Sequence, residues 1–470
     1  MAPLAALVLL SSLWASPSTA AAAGAATNAP ATIAGDWKGV LQPGPGKDIP
    51  LVFHVTGQPG RWKGTLDSPT QNAIGFPFAS VTQVGNEATF QMAVTNAVYT
   101  ATLSADGATL EGHWAGVKGT LPLTMKRSHD VIAASPRPQL PEPPFPYRSV
   151  DVAYDNIAGH AHLTGTLTLP EGKGPFPVVL LITGSGPQDR DETIFGHKPF
   201  LLWADYLTRR GIAVLRVDDR GMGGSTGDVA QATTADFAVD VEAGVNYLKS
   251  RPDIDPHRIG LMGHSEGGVI APIVASRDPA IAFIVLLAGT GETGEDVLLA
   301  QKRLIETASG IPAALVKQSE ATMRRLYDAI KDAPDQATAD TRLAEAWQAI
   351  AEKPGTPMPS ELHAITVPWV RWFVRYDPRP TLAKVRCPIL AIGGSKDLQV
   401  PATENLAGIK KALAGNPDVT VTELPNLNHL LQTSTTGQVS EYATIEETTS
   451  PVALKTVGDW LVSHTNRQPR

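Results

Sequence analysis

The 470-residue chain sets 39 Lys and Arg against 46 Asp and Glu, for a formal net charge of −7, with 43% hydrophobic and 18% charged residues. These are globular values, sufficient for two or three domains. The negative balance gives no electrostatic footing for nucleic acid or an anionic membrane, and a single cysteine, Cys387, excludes an internal disulfide.

Residues 1–24 have the cast of a signal peptide. An apolar core, Leu4–Leu10, is followed by the small-residue run Ser18-Thr19-Ala20-Ala21-Ala22, although Lys and Arg are missing from the n-region. The expectation is a periplasmic or secreted protein. No stable membrane insertion is expected after signal removal, because the run is shorter than the ~20 residues that span a bilayer.

Residues 31–127 alternate in short runs that predict strands at Asp36–Leu41, Pro50–Thr56, Arg61–Leu66, Phe76–Val84, Ala88–Val94, Tyr99–Leu103, Thr109–Trp114 and Thr120–Lys126. Many short strands at close spacing predict a small all-β barrel or sandwich. It holds no cluster of acids, bases or metal ligands, so it reads as a stabilising or binding appendage. Residues 128–148 contain six prolines, at 136, 138, 141, 143, 144 and 146, and read as a semi-rigid linker.

From residue 149 to 470 the pattern becomes α/β. Ser149–Tyr154 and His162–Leu169 read as paired strands, and Phe176–Ile182 as a strand buried on both faces. Helix at Trp203–Arg210, strand at Ile212–Val217, helix at Asp236–Ser250 and strands at Ile259–Met262 and Ile281–Leu287 continue the alternation of a parallel sheet. Between about 291 and 382 no strand is evident, and helices are predicted near 295–309, 314–332 and 338–352: a helical lid insertion. Trp369, Trp372, Phe373 and Tyr376 close it, as core of the lid or as an apolar wall of the substrate pocket. The sheet resumes at Pro388–Ile392, followed by a helix at Ala402–Leu413, a strand at Val419–Leu424 and a helix at Pro451–Ser463. Cys387 opens the first of these strands and reads as a buried, inert thiol.

The chemistry centres on Gly263-His264-Ser265-Glu266-Gly267, set between a buried strand and the helical run Val269–Ala275. A serine in that turn is aimed off the end of the sheet. It needs a base and an orienting acid, in the order Ser, Asp or Glu, His. Asp397 follows the strand Pro388–Ile392, and His429 follows the last strand, so Ser265, Asp397 and His429 form the expected catalytic triad. Glu423, inside a strand, and His363, inside the insertion, are weaker candidates; His264 points away from the serine in a structural role. The backbone amides of Glu266 and Ser185 are the expected oxyanion hole, the latter in the small-residue loop Thr183–Pro187. Arg190 belongs to a salt-bridge network or meets a substrate carboxylate. The run Asp218–Ser225 lacks P-loop spacing and reads as a structural turn beside the cleft. No His, Cys or Asp cluster has ligand spacing, so neither metal nor cofactor is expected.

Gly184–Asp191, Asp219–Ser225, Gly263–Gly268 and Asn428-His429, with Ser440-Glu441-Tyr442 and Ile445-Glu446-Glu447, resemble exported bacterial serine esterases of the α/β-hydrolase superfamily. The branch is that of the dienelactone-hydrolase and prolyl-oligopeptidase-like enzymes, and the resemblance covers about residues 150–465. It implies an α/β-hydrolase fold and hydrolysis of a small-molecule carboxylic ester. The departure is Thr183, where many relatives carry histidine before the oxyanion glycine. A peptidase, amidase or thioesterase of the same fold is the nearest alternative. The β-domain is too short for a prolyl-oligopeptidase propeller of ~40-residue blades. A ligand-binding protein with an inactive hydrolase fold is the alternative of another class.

Overall fold

The structure, a computed structural model, describes residues 32–44, 48–68, 73–92, 97–116, 119–128, 136–351 and 353–466. The signal-peptide reading of residues 1–24 falls outside them. The chain divides into two compact units, one reaching to Pro136 and the other beginning at Arg137.

Eight antiparallel strands form the first unit: β1 (Gly35–Leu41), β2 (Ile49–Gln58), β3 (Arg61–Ser68), β4 (Ala73–Val84), β5 (Glu87–Met92), β6 (Val98–Leu103), β7 (Thr109–Gly116) and β8 (Gly119–Ser128). Each pairs with the next, and β8 returns to pair with β1, closing a barrel. Alternation sends Trp37, Phe53, Phe90, Tyr99, Leu110 and Met125 inward, where they are fully buried. Phe53 is in ring contact with Phe78, Phe90 and Tyr99 at centroid distances of 5.0, 5.1 and 5.6 Å. The Tyr99 hydroxyl donates to the Leu110 carbonyl at 2.9 Å, so its polar end is satisfied. On β2, His54 lies between Asp36 (2.8 Å) and Asp67 (2.9 Å). These hydrogen bonds, led by the one to Asp67, raise its pKa to about 9 against the opposing effect of burial.

The second unit is an eight-stranded sheet built from β9 (Arg148–Asn156), β10 (Ala161–Leu169), β11 (Phe176–Ile182), β12 (Ala213–Val217), β13 (Ile254–His264), β14 (Phe283–Leu287), β15 (Ile389–Gly394) and β16 (Val419–Leu424). The strand order is β16-β15-β14-β13-β11-β12-β10-β9. The pairings from β12 through β16 are parallel, whereas β10 is antiparallel to both β9 and β12. The sheet is therefore mixed at one end, where the sequence leads from the paired strands β9 and β10.

Period-two alternation sorts the apolar strands into two cores. Val178, Leu180 and Ile182 of β11 face a layer with α2 (Thr234–Lys249) and α3 (Gly267–Arg277). Val179 and Leu181 face α1 (Pro199–Thr208), through Phe200, Trp203 and Leu207. Between β14 and β15 lie α4 (Gly294–Ala308), α5 (Ala313–Ile330), α6 (Gln336–Ile350), a 3-10 segment at Ser360–Thr366, α7 (Pro368–Arg375) and α8 (Arg379–Leu382). This insertion has its own core, built on Leu299, Met323, Leu326, Tyr327, Ile330 and Leu343. The chain ends with α9 (Ala402–Ala412), β16 and α10 (Pro451–Thr465). Cys387 is half-buried, and burial pushes its thiol up to about 12, which keeps it protonated. Among the described residues, no helix is long and apolar enough to cross a membrane.

The Pro-rich segment differs from the linker reading in its second half. Arg137 donates to the carbonyls of Phe195 (2.8 Å), Ala443 (2.9 Å) and Ile445 (3.1 Å). Gln139 donates to the Thr449 carbonyl at 2.8 Å. Prolines keep this stretch out of helix and sheet, but the side chains between them dock it on the second unit.

Candidate active site

Ser265 stands at the end of β13 with φ +53°, the left-handed backbone that a sharp strand-to-helix turn demands of a non-glycine residue. The turn is possible because main chain closes on main chain. A Cβ on Gly263 would come within 2.0 Å of the Gly267 carbonyl oxygen, and one on Gly267 within 2.2 Å of that of Ile182. The Ser265 amide donates to the Leu287 carbonyl at 2.8 Å, tying the turn to β14.

Asp397 and His429 are brought together by neighbouring parallel strands. β15 delivers Asp397 and β16 delivers His429, and the Asp397 Oδ2 to His429 Nδ1 distance is 2.7 Å. Both side chains are buried, 0% and 5% exposed. The second oxygen of Asp397 accepts the amides of Gln399 and Val400, both at 2.8 Å, which fixes the plane of the carboxylate. The His429 loop is pinned by Asn428, whose Oδ1 accepts the amides of Leu430 (3.0 Å) and Gln432 (2.9 Å).

The loop after β11 lies against the serine, since a Cβ on Gly184 would be 3.3 Å from the Cβ of Ser265. Thr183, the departure from the family pattern, donates its hydroxyl to Asp219 at 2.8 Å, and Asp219 also accepts the Gln188 amide at 2.9 Å. The threonine thus anchors the loop from beneath. The amides of Ser185 and Glu266, the expected oxyanion donors, have no protein acceptor among the described residues. The Gly184 amide is committed to Glu192 Oε1 at 2.8 Å.

Glu266 has a second role that its place in the motif conceals. Its side chain, 3% exposed, accepts the Thr234 hydroxyl and the Trp369 indole N–H, both at 2.7 Å. Burial pushes its carboxyl up to about 7 against these two hydrogen bonds. The residue beside the serine therefore ties α2 to α7 of the insertion. Phe373 stacks on Trp369 at 5.0 Å, Trp372 stacks on Tyr376 at 4.5 Å, and all four pack on the core shared with α2 and α3.

Arg190 sits in a salt-bridge network. Its Nη2 lies 2.6 Å from Asp218 and its Nη1 is 3.2 Å from Asp151 and 2.7 Å from Thr166. The glycine-rich run carries the rest of that structure: Arg220 pairs with Asp240 at 2.7 Å, and the Ser225 hydroxyl donates to the Asp218 carbonyl at 2.8 Å. Glu423 is exposed and accepts the Thr403 hydroxyl at 3.0 Å, and His363 is exposed in the 3-10 segment; neither joins the Asp397–His429 pair.

His264 packs its ring against that of His429, with centroids 4.9 Å apart, and is paired with Glu192 at 2.8 Å. Glu192 escapes a reading of the sequence alone. It closes the charged run Asp189-Arg190-Asp191-Glu192, which looks solvated, yet it is only 2% exposed. The one sequence signal is indirect: a histidine buried before the serine needs a polar partner.

With this geometry in view, comparison with known proteins gives a family. A model of the X-Pro dipeptidyl-peptidase (S15) family matches residues 159–420, more than half of the chain. The chain belongs to the S15 family. The matched span of this S15 member includes Ser265 and Asp397, and His429 lies nine residues beyond its end. Esterase EstD of Thermotoga maritima is 28% identical over 269 residues, which are 57% of this chain and 58% of EstD. The chain thus spans less than two thirds of that relative. Esterase FrsA of Vibrio cholerae is 32% identical over 126 residues, 26% of each chain. Among solved structures, the ferulic acid complex of Est1E from Butyrivibrio proteoclasticus aligns over 67% of this chain and all of its own, at 16% identity and a TM-score of 0.42. Dienelactone hydrolase from Anabaena variabilis aligns over 69% of this chain and all of its own, at 16% identity and a TM-score of 0.38.

Proposed function

We propose that the protein hydrolyses small-molecule carboxylic esters through an acyl-enzyme on Ser265. The reading rests above all on the buried 2.7 Å Asp397–His429 bond at the ends of β15 and β16, in the same sheet whose strand β13 ends in the left-handed turn of Ser265. In the reaction, His429 takes the Ser265 proton as the hydroxyl attacks the acyl carbon, and Asp397 orients the ring and balances its positive charge. The amides of Glu266 and Ser185 receive the oxyanion, each worth ~3 kcal/mol of transition-state stabilisation. The alcohol leaves with the proton from His429, and a water activated by the same ring releases the acid. The esterase names of EstD and FrsA support the ester as substrate.

The family match favours a second reading, cleavage of an amide after an X-Pro pair. Short-chain aryl esters compared with X-Pro aryl amides separate the two. The first reading expects ester turnover far above amide turnover. Ser265→Ala should lose about 10⁴-fold or more of the kcat, with Asp397→Asn falling comparably. Equal turnover by wild type and Ser265→Ala ends the assignment.

The apolar run Leu4–Leu10 and the small residues after it support export to the periplasm or medium. Amino-terminal sequencing of the protein recovered from cell fractions tests this; an uncleaved cytoplasmic chain overturns it.

A further inference from the structure

The hydrolytic scheme leaves Glu192 and His264 without a task, although both are buried among its parts. Glu192 holds φ +54° in a turn closed by its amide on the Asp189 carbonyl at 2.9 Å. Its Oε1 accepts from two sides, the Gly184 amide at 2.8 Å and His264 Nδ1 at 2.8 Å. The other ring nitrogen of His264, Nε2, lies 3.0 Å from the backbone carbonyl oxygen of His429. A carboxylate and a carbonyl only accept hydrogen bonds. A neutral imidazole has one N–H and would leave two acceptors facing each other on its bare side. With Glu192 ionised, only the imidazolium satisfies both contacts, and the ring is 9% exposed, so water is largely kept from that side.

We propose that Glu192 and His264 form a buried carboxylate–imidazolium pair that positions three parts of the active site at once. The carboxylate holds the oxyanion loop through the Gly184 amide. The imidazolium holds the backbone of the proposed base, His429, and His264 is itself the residue before the nucleophile. Loop, elbow and base loop come from the ends of β11, β13 and β16, and this pair joins them. Neither residue touches substrate in this arrangement; both are positioning residues.

The charges around the ring favour this state. Burial disfavours the imidazolium, but Glu192 and, more weakly, Asp397 overcome it, and the proton is held more firmly than in a free histidine. The His429 ring packs beside His264, and Asp219 lies near enough to Glu192 and to Glu266 to feel both charges.

Nitrogen-15 NMR of histidine-labelled protein tests the pair, using Ser265→Ala so that the readout is independent of ester turnover. The expected result is a histidine with protons on both ring nitrogens at pH 8, assigned by its loss in His264→Gln. Glu192→Gln, which removes the charge and keeps the shape, should return that ring to the neutral form. In the otherwise wild-type enzyme, Glu192→Gln should lower kcat on an aryl acetate on the order of 10- to 100-fold with little change in KM, as expected when reacting groups shift slightly. It should also add an ionisation to the pH profile of kcat, and Glu192→Asp should recover part of the loss. A neutral His264 at pH 8 in folded Ser265→Ala overturns the pair even if Glu192→Gln misfolds. Unchanged kcat and pH profile in a folded Glu192→Gln overturns the positioning role. The kinetic arm rests on the hydrolytic reading. Full activity in Ser265→Ala would sink that reading while leaving the NMR result to decide the pair.

Discussion

Glu266 carries two functions in one residue, an amide beside Ser265 and a carboxyl locked between Thr234 and Trp369. Its pKa is raised from 4.5 to about 7 in the folded chain, so the folded state holds the proton more tightly than the unfolded state. Below about pH 4.5 both states are protonated and the group adds no pH slope. Between about 4.5 and about 7 the unfolded state releases its proton first, and stability falls as pH rises; above about 7 the loss is complete. The full span is roughly 3 kcal/mol. Urea unfolding of Glu266→Gln at pH 4.5 and pH 8 should show less of this decline than wild type, because the amide cannot ionise. The pentapeptide around Ser265 was legible from its glycines, and so were Asp397 and His429 from their places after strands. The Glu266 side chain and Glu192 were not, because their partners lie 103, 32, 72 and 8 residues away and only the fold brings them together.

At the scale of elements, strands and helices that bury one face left a clear period in the sequence. The eight barrel strands and the insertion helices α4 to α6 lie close to where alternation and helical spacing put them. Two elements start four or five residues before their reading. β13 runs from Ile254, because Asp255-Pro256-His257-Arg258 ahead of its apolar half looks like loop, and α1 starts at Pro199, one turn earlier than its apolar spacing suggested. A polar feature of the barrel was also hidden. His54 sits on β2 between acids supplied by β1 and β3, a triplet that requires the register of all three strands. Its raised pKa gives stability that is fully present below about pH 6.5 and lost as pH rises through about 9. Calorimetry of the full chain should therefore show one transition moving to lower temperature between those values. His54→Gln should hold that transition low and nearly pH-independent across the same window.

At the scale of the molecule, composition and proline content announced two units joined by the Pro-rich run, and residues 137–148 of that run group with the second unit. Proline density measures what secondary structure a segment cannot form; it does not report what Arg137 and Gln139 can reach. A fragment beginning at residue 136 should consequently be more stable than one beginning at residue 149. The longer form keeps the Arg137 and Gln139 bonds to the C-terminal segment 443–449. At ~1 kcal/mol for each hydrogen bond, the shorter fragment should melt about 5 °C or more below the longer one by thermal denaturation.

The closed barrel carries a consequence for recognition. A strand at the border of an open sheet offers unpaired N–H and C=O groups on which another chain can build. Here β1 and β8 satisfy each other along Asp36–Gly39 and Met125–Ser128, so the ring has no first or last strand to extend. Its interior is filled by its own aromatic rings. Whatever this unit meets, it meets through the outward side chains of its strands and through its loops, by surface complementarity and not by lengthening the sheet.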